Sequence, residues 1–263
     1  MFTCYDEPSE SEYYFTGGMF MMEKQHGQSK IGFVFMNGAG LEGRIWRKVT
    51  EGMEHPCLPL EYPLRKEAFA SRSRLSLEDY AAHLKKQIDA WEIPNIILVA
   101  HSLGGVLAQR LASELSDRLT GIVAVGAVIP TNGGSFVSAL PLPQRLLMPV
   151  ILRTMGTKPP ESAIRSGLCS DLSPEQAADI VNGFIPEAVR VYSDRIRAAV
   201  PDVPKLYVKL TNDKELSPSL QDKMIANFAP QSVRRLESGH LPMISNPAGL
   251  RSILESFLSE IAC

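Results

Sequence analysis

Ser102, Asp213 and His240 are the residues whose types and placement could together do chemistry. A serine hydroxyl is a weak nucleophile; it needs a neighbouring base and donors that stabilise the oxyanion it creates. An imidazole, with an ordinary pKa of ~6.5, can take that proton near neutrality and return it to a leaving group. A carboxylate behind the imidazole holds its tautomer and stabilises the cation. Each of the three follows an apolar run that reads as a strand, in the order serine, acid, histidine. Glu215, two residues along the loop from Asp213, is the rival acid, and Asp213 is preferred because it lies nearer the strand end.

The elements that must position these groups are legible around them. Ile96 to Val99 is an apolar, partly β-branched run, and Ala100-His101-Ser102-Leu103-Gly104-Gly105 turns it sharply into a helical pattern starting near Val106. The small residues two before and two after the serine allow strand and helix to approach, with Ala100 at the first of them. Taken alone, the pentapeptide Ala100 to Gly104 also fits a plain connecting turn. Ile31 to Met36 reads as a central strand ending in Asn37-Gly38-Ala39-Gly40, whose small residues could turn backbone N–H groups into a cavity or simply form a strand-to-helix loop. Leu206 to Leu210 precedes the Asp213 loop, and Val233 to Leu236 precedes Ser238-Gly239-His240-Leu241-Pro242. Cys57 to Leu60 and Gly121 to Val128 supply two further strands.

Helical patterns alternate with these strands, over 44–53, from Ser76 with a capping-box spacing, from the Ser102 turn to about Leu115, over 221–228 and over 247–261. Strands alternating with helices specify an α/β sheet covered on both faces. The rhythm breaks over 130–200, which is proline-rich, helical and apolar, with a second capping box at Ser173, Pro174 and Gln176. An inserted helical cap accounts for the break, and a few of Phe136, Leu146, Leu147, Val150, Ile151 and Met155 are expected to line a substrate pocket. The predicted division is a core from 1–129, a cap from 130–200 and the rest of the core from 201–263. An edge hairpin is expected around Tyr13 to Met22, and the basic residues of 65–74 are expected on a solvated surface. His26, His55 and His83 read as surface or structural, and His101 as packed in the turn.

With 263 residues, 44% hydrophobic and 21% charged, the chain can bury a large core. A net charge of −2 gives no footprint for nucleic acid or an anionic membrane. Cys4, Cys57, Cys169 and Cys263 show no metal-ligand spacing and are expected as reduced thiols in a cytoplasmic protein. No targeting or transmembrane segment is read from the sequence, and the acidic start is unlike a secretory leader. The expected partners are a small-molecule substrate and, as an option, a second copy in a homodimer; no cofactor or metal is expected.

Over nearly its whole length the chain resembles the α/β-hydrolase superfamily. The residues carrying this are Val99 to Gly105, Asn37-Gly38-Ala39-Gly40, Asp213 with Pro218, and Ser238 to Pro242. Within the superfamily it is most similar to the small esterase and hydroxynitrile-lyase group, whose cap Leu168 to Glu175 and Pro186-Glu187 resemble. The resemblance implies an α/β-hydrolase fold, a mostly parallel sheet with helices on both faces and an inserted cap, and makes the backbone N–H groups of Ala39 and Leu103 the oxyanion donors. Asn37 stands where the family usually has histidine, and Leu241 where the lyases carry lysine after the catalytic histidine, which favours ester hydrolysis over cyanide release. The expected function is cleavage of a carboxylic ester of a small or medium apolar molecule. The alternatives are acyl transfer, lactone or carbon–carbon bond hydrolysis by the same triad, or a ligand-binding receptor with slow residual hydrolysis.

Overall fold

The computed structural model describes residues 31–198 and 200–262; the expected hairpin around Tyr13 to Met22 lies outside them. Among the described residues six strands form one sheet: β1 (Ile31–Met36), β2 (Cys57–Pro59), β3 (Asn95–His101), β4 (Leu119–Val125), β5 (Lys205–Leu210) and β6 (Ser232–Leu236). Their order is β2-β1-β3-β4-β5-β6 and every pairing is parallel. Parallel neighbours need crossovers, and the helices supplying them cover both faces.

The period-2 alternation of strand side chains sorts the core into two layers. Val34, Met36, Ile96, Leu98, Ala100 and Ala124 face one side, with Leu84 and Ile88 of the helix Leu77–Asp89 and Leu107 and Leu111 of the helix Gly104–Ala112. Phe33, Phe35, Ile97, Val99, Val123 and Val125 face the other, against Trp46 and against Leu250, Leu254 and Phe257 of the helix Pro247–Ile261. Ser76 caps the first of these helices in a full capping box with Asp79, as its spacing predicts. The helical stretch expected over 44–53 is a 3-10 turn, Gly43–Trp46, followed by one α turn, Arg47–Thr50.

Between β4 and β5 the chain makes five helices without adding a strand: Phe136–Ala139, Leu142–Thr154, Glu161–Ser166, Pro174–Gly183 and Val189–Ser193. Ser173, Pro174 and Gln176 start the fourth as a capping box. Leu142–Thr154 is apolar on both sides: Leu152 is buried, whereas Leu146 and Val150 are 71% and 58% exposed. Among the described residues no helix is long and apolar enough to cross a membrane.

The basic loop corrects part of an expectation, since Lys66 and Arg74 are exposed as expected and the other two basic residues are not. Arg65 and Arg72 do not sit on a solvated surface; Arg72 is buried, and its guanidinium donates to the Leu64 and Pro186 carbonyls. Arg65 pairs at 2.7 Å with Glu187, and neither side chain is more than 6% exposed. Two of these partners, Pro186 and Glu187, lie over a hundred residues away, where local polarity says nothing about burial.

Candidate active site

Ser102 follows β3 at once and has φ +51°, a left-handed conformation that costs a non-glycine residue about 1–3 kcal/mol. Its carbonyl accepts from the N–H groups of Val128 and Gly105, so both arms of the turn are pinned. The close approach explains the glycines that follow. A Cβ on Gly104 would lie 2.8 Å from the Met36 and Asn37 carbonyl oxygens, and one on Gly105 would lie 2.6 Å from that of Val128. Ala100, by contrast, is accommodated in the sheet interior with no exposed surface.

Asp213 and His240 meet, as their placement after β5 and β6 predicts. Nδ1–H of His240 donates to Oδ2 of Asp213 at 2.8 Å, and both side chains are essentially inaccessible. Oδ1 of Asp213 accepts from the N–H groups of Glu215 and Leu216, both at 2.8 Å. Three donors satisfy the buried carboxylate as an anion. Glu215 donates to Asp213 through its backbone; its side chain packs against Gly167, makes no hydrogen bond to His240, and acts on that imidazole only as a nearby charge. Burial, the largest single effect, pushes the His240 imidazole down, but the charge and hydrogen bond of Asp213, with smaller contributions from the Glu215 and Asp171 carboxylates, together reverse this, and the net shift is upward.

Ser102 and His240 line one cavity of 490 Å³ together with Gly38, Ala39 and His101. Its far wall comes from the helices between β4 and β5: Phe136, Met148, Ile151, Leu152, Met155 and Tyr192. Phe136, Ile151 and Met155 thus line it as expected, whereas Leu146, Leu147 and Val150 point outward. Lys158, Thr157 and Glu215 add polar groups to an otherwise apolar lining. His101 is fully buried; its Nε2–H donates to the His240 carbonyl at 2.8 Å, and its Nδ1 has no partner. Burial, reinforced by His240, holds its pKa well below the ordinary imidazole value. His101 is therefore a neutral packing group behind the turn. Leu241 is buried in the core and is absent from the cavity wall.

The N–H groups of Ala39 and Leu103 have no acceptor among the described residues, although Ala39 lines the cavity. The loop around Ala39 is fastened on both sides. Asn37 accepts at its side chain from Trp46 at 3.2 Å, donates to the Leu41 carbonyl at 2.9 Å, and accepts at its carbonyl from the Tyr62 hydroxyl. The asparagine that departs from the usual histidine is thus a full partner in holding this loop. Two residues of the β4–β5 segment reach the site loops from outside. Glu187 accepts from the Gly40 N–H at 3.0 Å, and Asp171 accepts from the Gly239 N–H beside His240. The local sequence gives no sign of either role.

A strand–turn–helix serine, an acid and a histidine after successive strands of a parallel sheet are found together with a family match: the model of the alpha/beta hydrolase family covers residues 33–253. The chain belongs to this family. It is 26% identical over 250 residues to Methylesterase 17 of Arabidopsis thaliana, spanning 84% of this chain and 89% of that protein. Among solved structures, an extracellular alpha/beta-hydrolase from a Paenibacillus species superposes with a TM-score of 0.77 at 17% identity, covering 86% of this chain and 98% of that one. The Arabidopsis methylesterase MES16 superposes at 0.72 with 20% identity, covering 88% and 99%.

Proposed function

We propose that the protein is a serine hydrolase cleaving a carboxylic ester of a small or medium apolar molecule. In this reading Ser102 attacks the ester carbonyl, and His240 takes the hydroxyl proton and delivers it to the departing alcohol. Asp213 holds the imidazole with Nδ1 protonated, leaving Nε2 to act as the base. The N–H groups of Ala39 and Leu103 bind the tetrahedral oxyanion, and water then releases the acyl group by the same steps in reverse roles.

The observation that carries this reading is the buried Asp213–His240 hydrogen bond opening on the same 490 Å³ cavity as the strained Ser102 turn. The methylesterase relative supports an ester as the bond cleaved. The mostly apolar cavity wall supports an apolar acyl or alcohol group, with residues 130–200 acting as a cap. Every group in the scheme comes from one chain, so a homodimer is not required to complete the site. Free Cys57 and Cys169, whose thiols burial pushes up to about 11, fit a reducing compartment such as the cytoplasm.

The test is intact mass after exposure to a small fluorophosphonate, with peptide mapping, alongside turnover of short-chain esters. One adduct on Ser102, and a loss of about a million-fold in kcat for Ser102→Ala, are expected. Turnover of Ser102→Ala within tenfold of the native protein would overturn the reading.

A further inference from the structure

The most elaborate polar cluster outside the Ser102–His240–Asp213 set surrounds Glu187. Its carboxylate is completely buried yet fully engaged. Oε1 accepts from the Gly40 N–H at 3.0 Å and from Arg65 Nη2 at 2.7 Å, and Oε2 accepts from the Tyr80 hydroxyl at 2.8 Å. Arg65 also donates to the Leu41 carbonyl at 2.8 Å and the Ile185 carbonyl at 3.2 Å. Gly40 itself is gripped at both polar atoms, since its carbonyl accepts from the Ile185 N–H at 3.0 Å. It has φ +79°, and a Cβ there would overlap the Phe184 ring.

These contacts have a common target. Tyr62 holds the Asn37 carbonyl at one end of the loop, while Glu187 and Ile185 hold Gly40 at the other. Between them the N–H groups of Gly38 and Ala39 are left without an acceptor among the described residues, and both residues line the cavity. A buried anion this close to a developing oxyanion would oppose it through a low-dielectric interior. Arg65 offsets that charge on the spot.

We infer that Glu187 is a positioning residue that clamps the 37–41 loop so that the Ala39 N–H points at the substrate carbonyl, with Arg65 neutralising its charge. The inference rests on the ester-hydrolase reading above. It makes the segment between β4 and β5 part of the catalytic geometry: the residues after Phe184 set the loop from outside. The hydrogen bond to Gly40 is the active element, so an uncharged acceptor of the same shape should serve.

Glu187→Ala, Glu187→Gln and the doubly uncharged Glu187→Gln/Arg65→Met are compared for kcat, KM and hydrogen–deuterium exchange of the peptide covering 37–43. Removing one oxyanion donor costs on the order of a hundred- to a thousand-fold in kcat. Glu187→Ala is expected to lose that much, with KM within threefold and faster exchange at the loop. Glu187→Gln and the double variant, which keep an amide oxygen for Gly40, are expected within tenfold of the native kcat with the loop still protected. A folded Glu187→Ala with kcat within threefold, or unchanged exchange at 37–43, overturns the proposal. If Glu187→Ala does not fold, a folded double variant that loses more than a hundredfold in kcat overturns it instead. Exchange needs no turnover, so a native protein that neither labels at Ser102 nor cleaves esters would sink the hydrolase reading separately from the clamp.

Discussion

At Ser102 the chain holds a strained residue where a glycine would be relaxed, and the strain persists because the surrounding carbonyl and N–H contacts fix it from both sides. Its partner imidazole is shaped by two opposed effects. Burial disfavours the cation, while Asp213 first and then Glu215 and Asp171 favour it, and the carboxylates together win. On the proposed mechanism His240 must be neutral to accept the serine proton, so activity is expected to be lost as pH falls through its value. With that value raised, the acid limb of the kcat/KM profile is expected above the ordinary ~6.5. Asp213→Asn, which removes the charge and disturbs the tautomer, is expected to lower kcat by about 10⁴ and move the limb downward. A pH–rate profile of both proteins measures this; a limb at or below ~6 in the native enzyme would contradict the pairing. At this scale the sequence was informative for residues that follow strands, because strand ends fix position. Ser102, Asp213 and His240 were legible for that reason. Glu187, Arg65 and Asp171 were not, since each is paired across long sequence separations and nothing local distinguishes a buried charge from a solvated one.

The strands and long helices follow from pattern alone, because a buried parallel strand is a short continuous apolar run and a capped amphipathic helix repeats every three to four residues. Helix ends were less legible: Gly104–Ala112 starts two residues before Val106, since the turn itself winds directly into the helix. The helix Leu142–Thr154 shows where pattern fails. With apolar residues on all sides it gives no sign of which face looks inward, and the structure divides them. Met148, Ile151 and Leu152 line the cavity, whereas Leu146 and Val150 are exposed. The two faces should therefore respond differently to substitution. Met148→Phe adds bulk to the cavity and is expected to lower kcat/KM for long-chain esters about tenfold relative to short ones, in line with roughly 1–3 kcal/mol per misfitted methylene. Leu146→Gln with Val150→Gln should leave that ratio unchanged and shift unfolding free energy by no more than about 0.5 kcal/mol per site. A chain-length series and urea unfolding check both; a change in selectivity from the outward pair would mean that the helix sits differently.

Over the whole molecule, the two neighbouring imidazoles tie stability to pH from opposite sides. Their rings lie 4.8 Å apart, and both are buried. His240 has its folded value raised, so its contribution is fully present below the unfolded ~6.5 and is lost as pH rises through the folded value. His101 has its folded value depressed, by burial first and by His240 second. Its contribution is present above ~6.5 and is lost as pH falls toward the folded value, because the unfolded chain binds a proton that the folded one refuses. The windows adjoin at the ordinary imidazole value, so these two groups together place a stability maximum near pH ~6.5. Urea unfolding between pH 5 and 9 should show it. His101→Gln is expected to flatten the acid side while leaving the alkaline side, and His240→Gln to do the reverse. An acid slope unchanged in His101→Gln would show that the proton taken up on unfolding binds elsewhere, and that His101 is not the neutral group its burial requires.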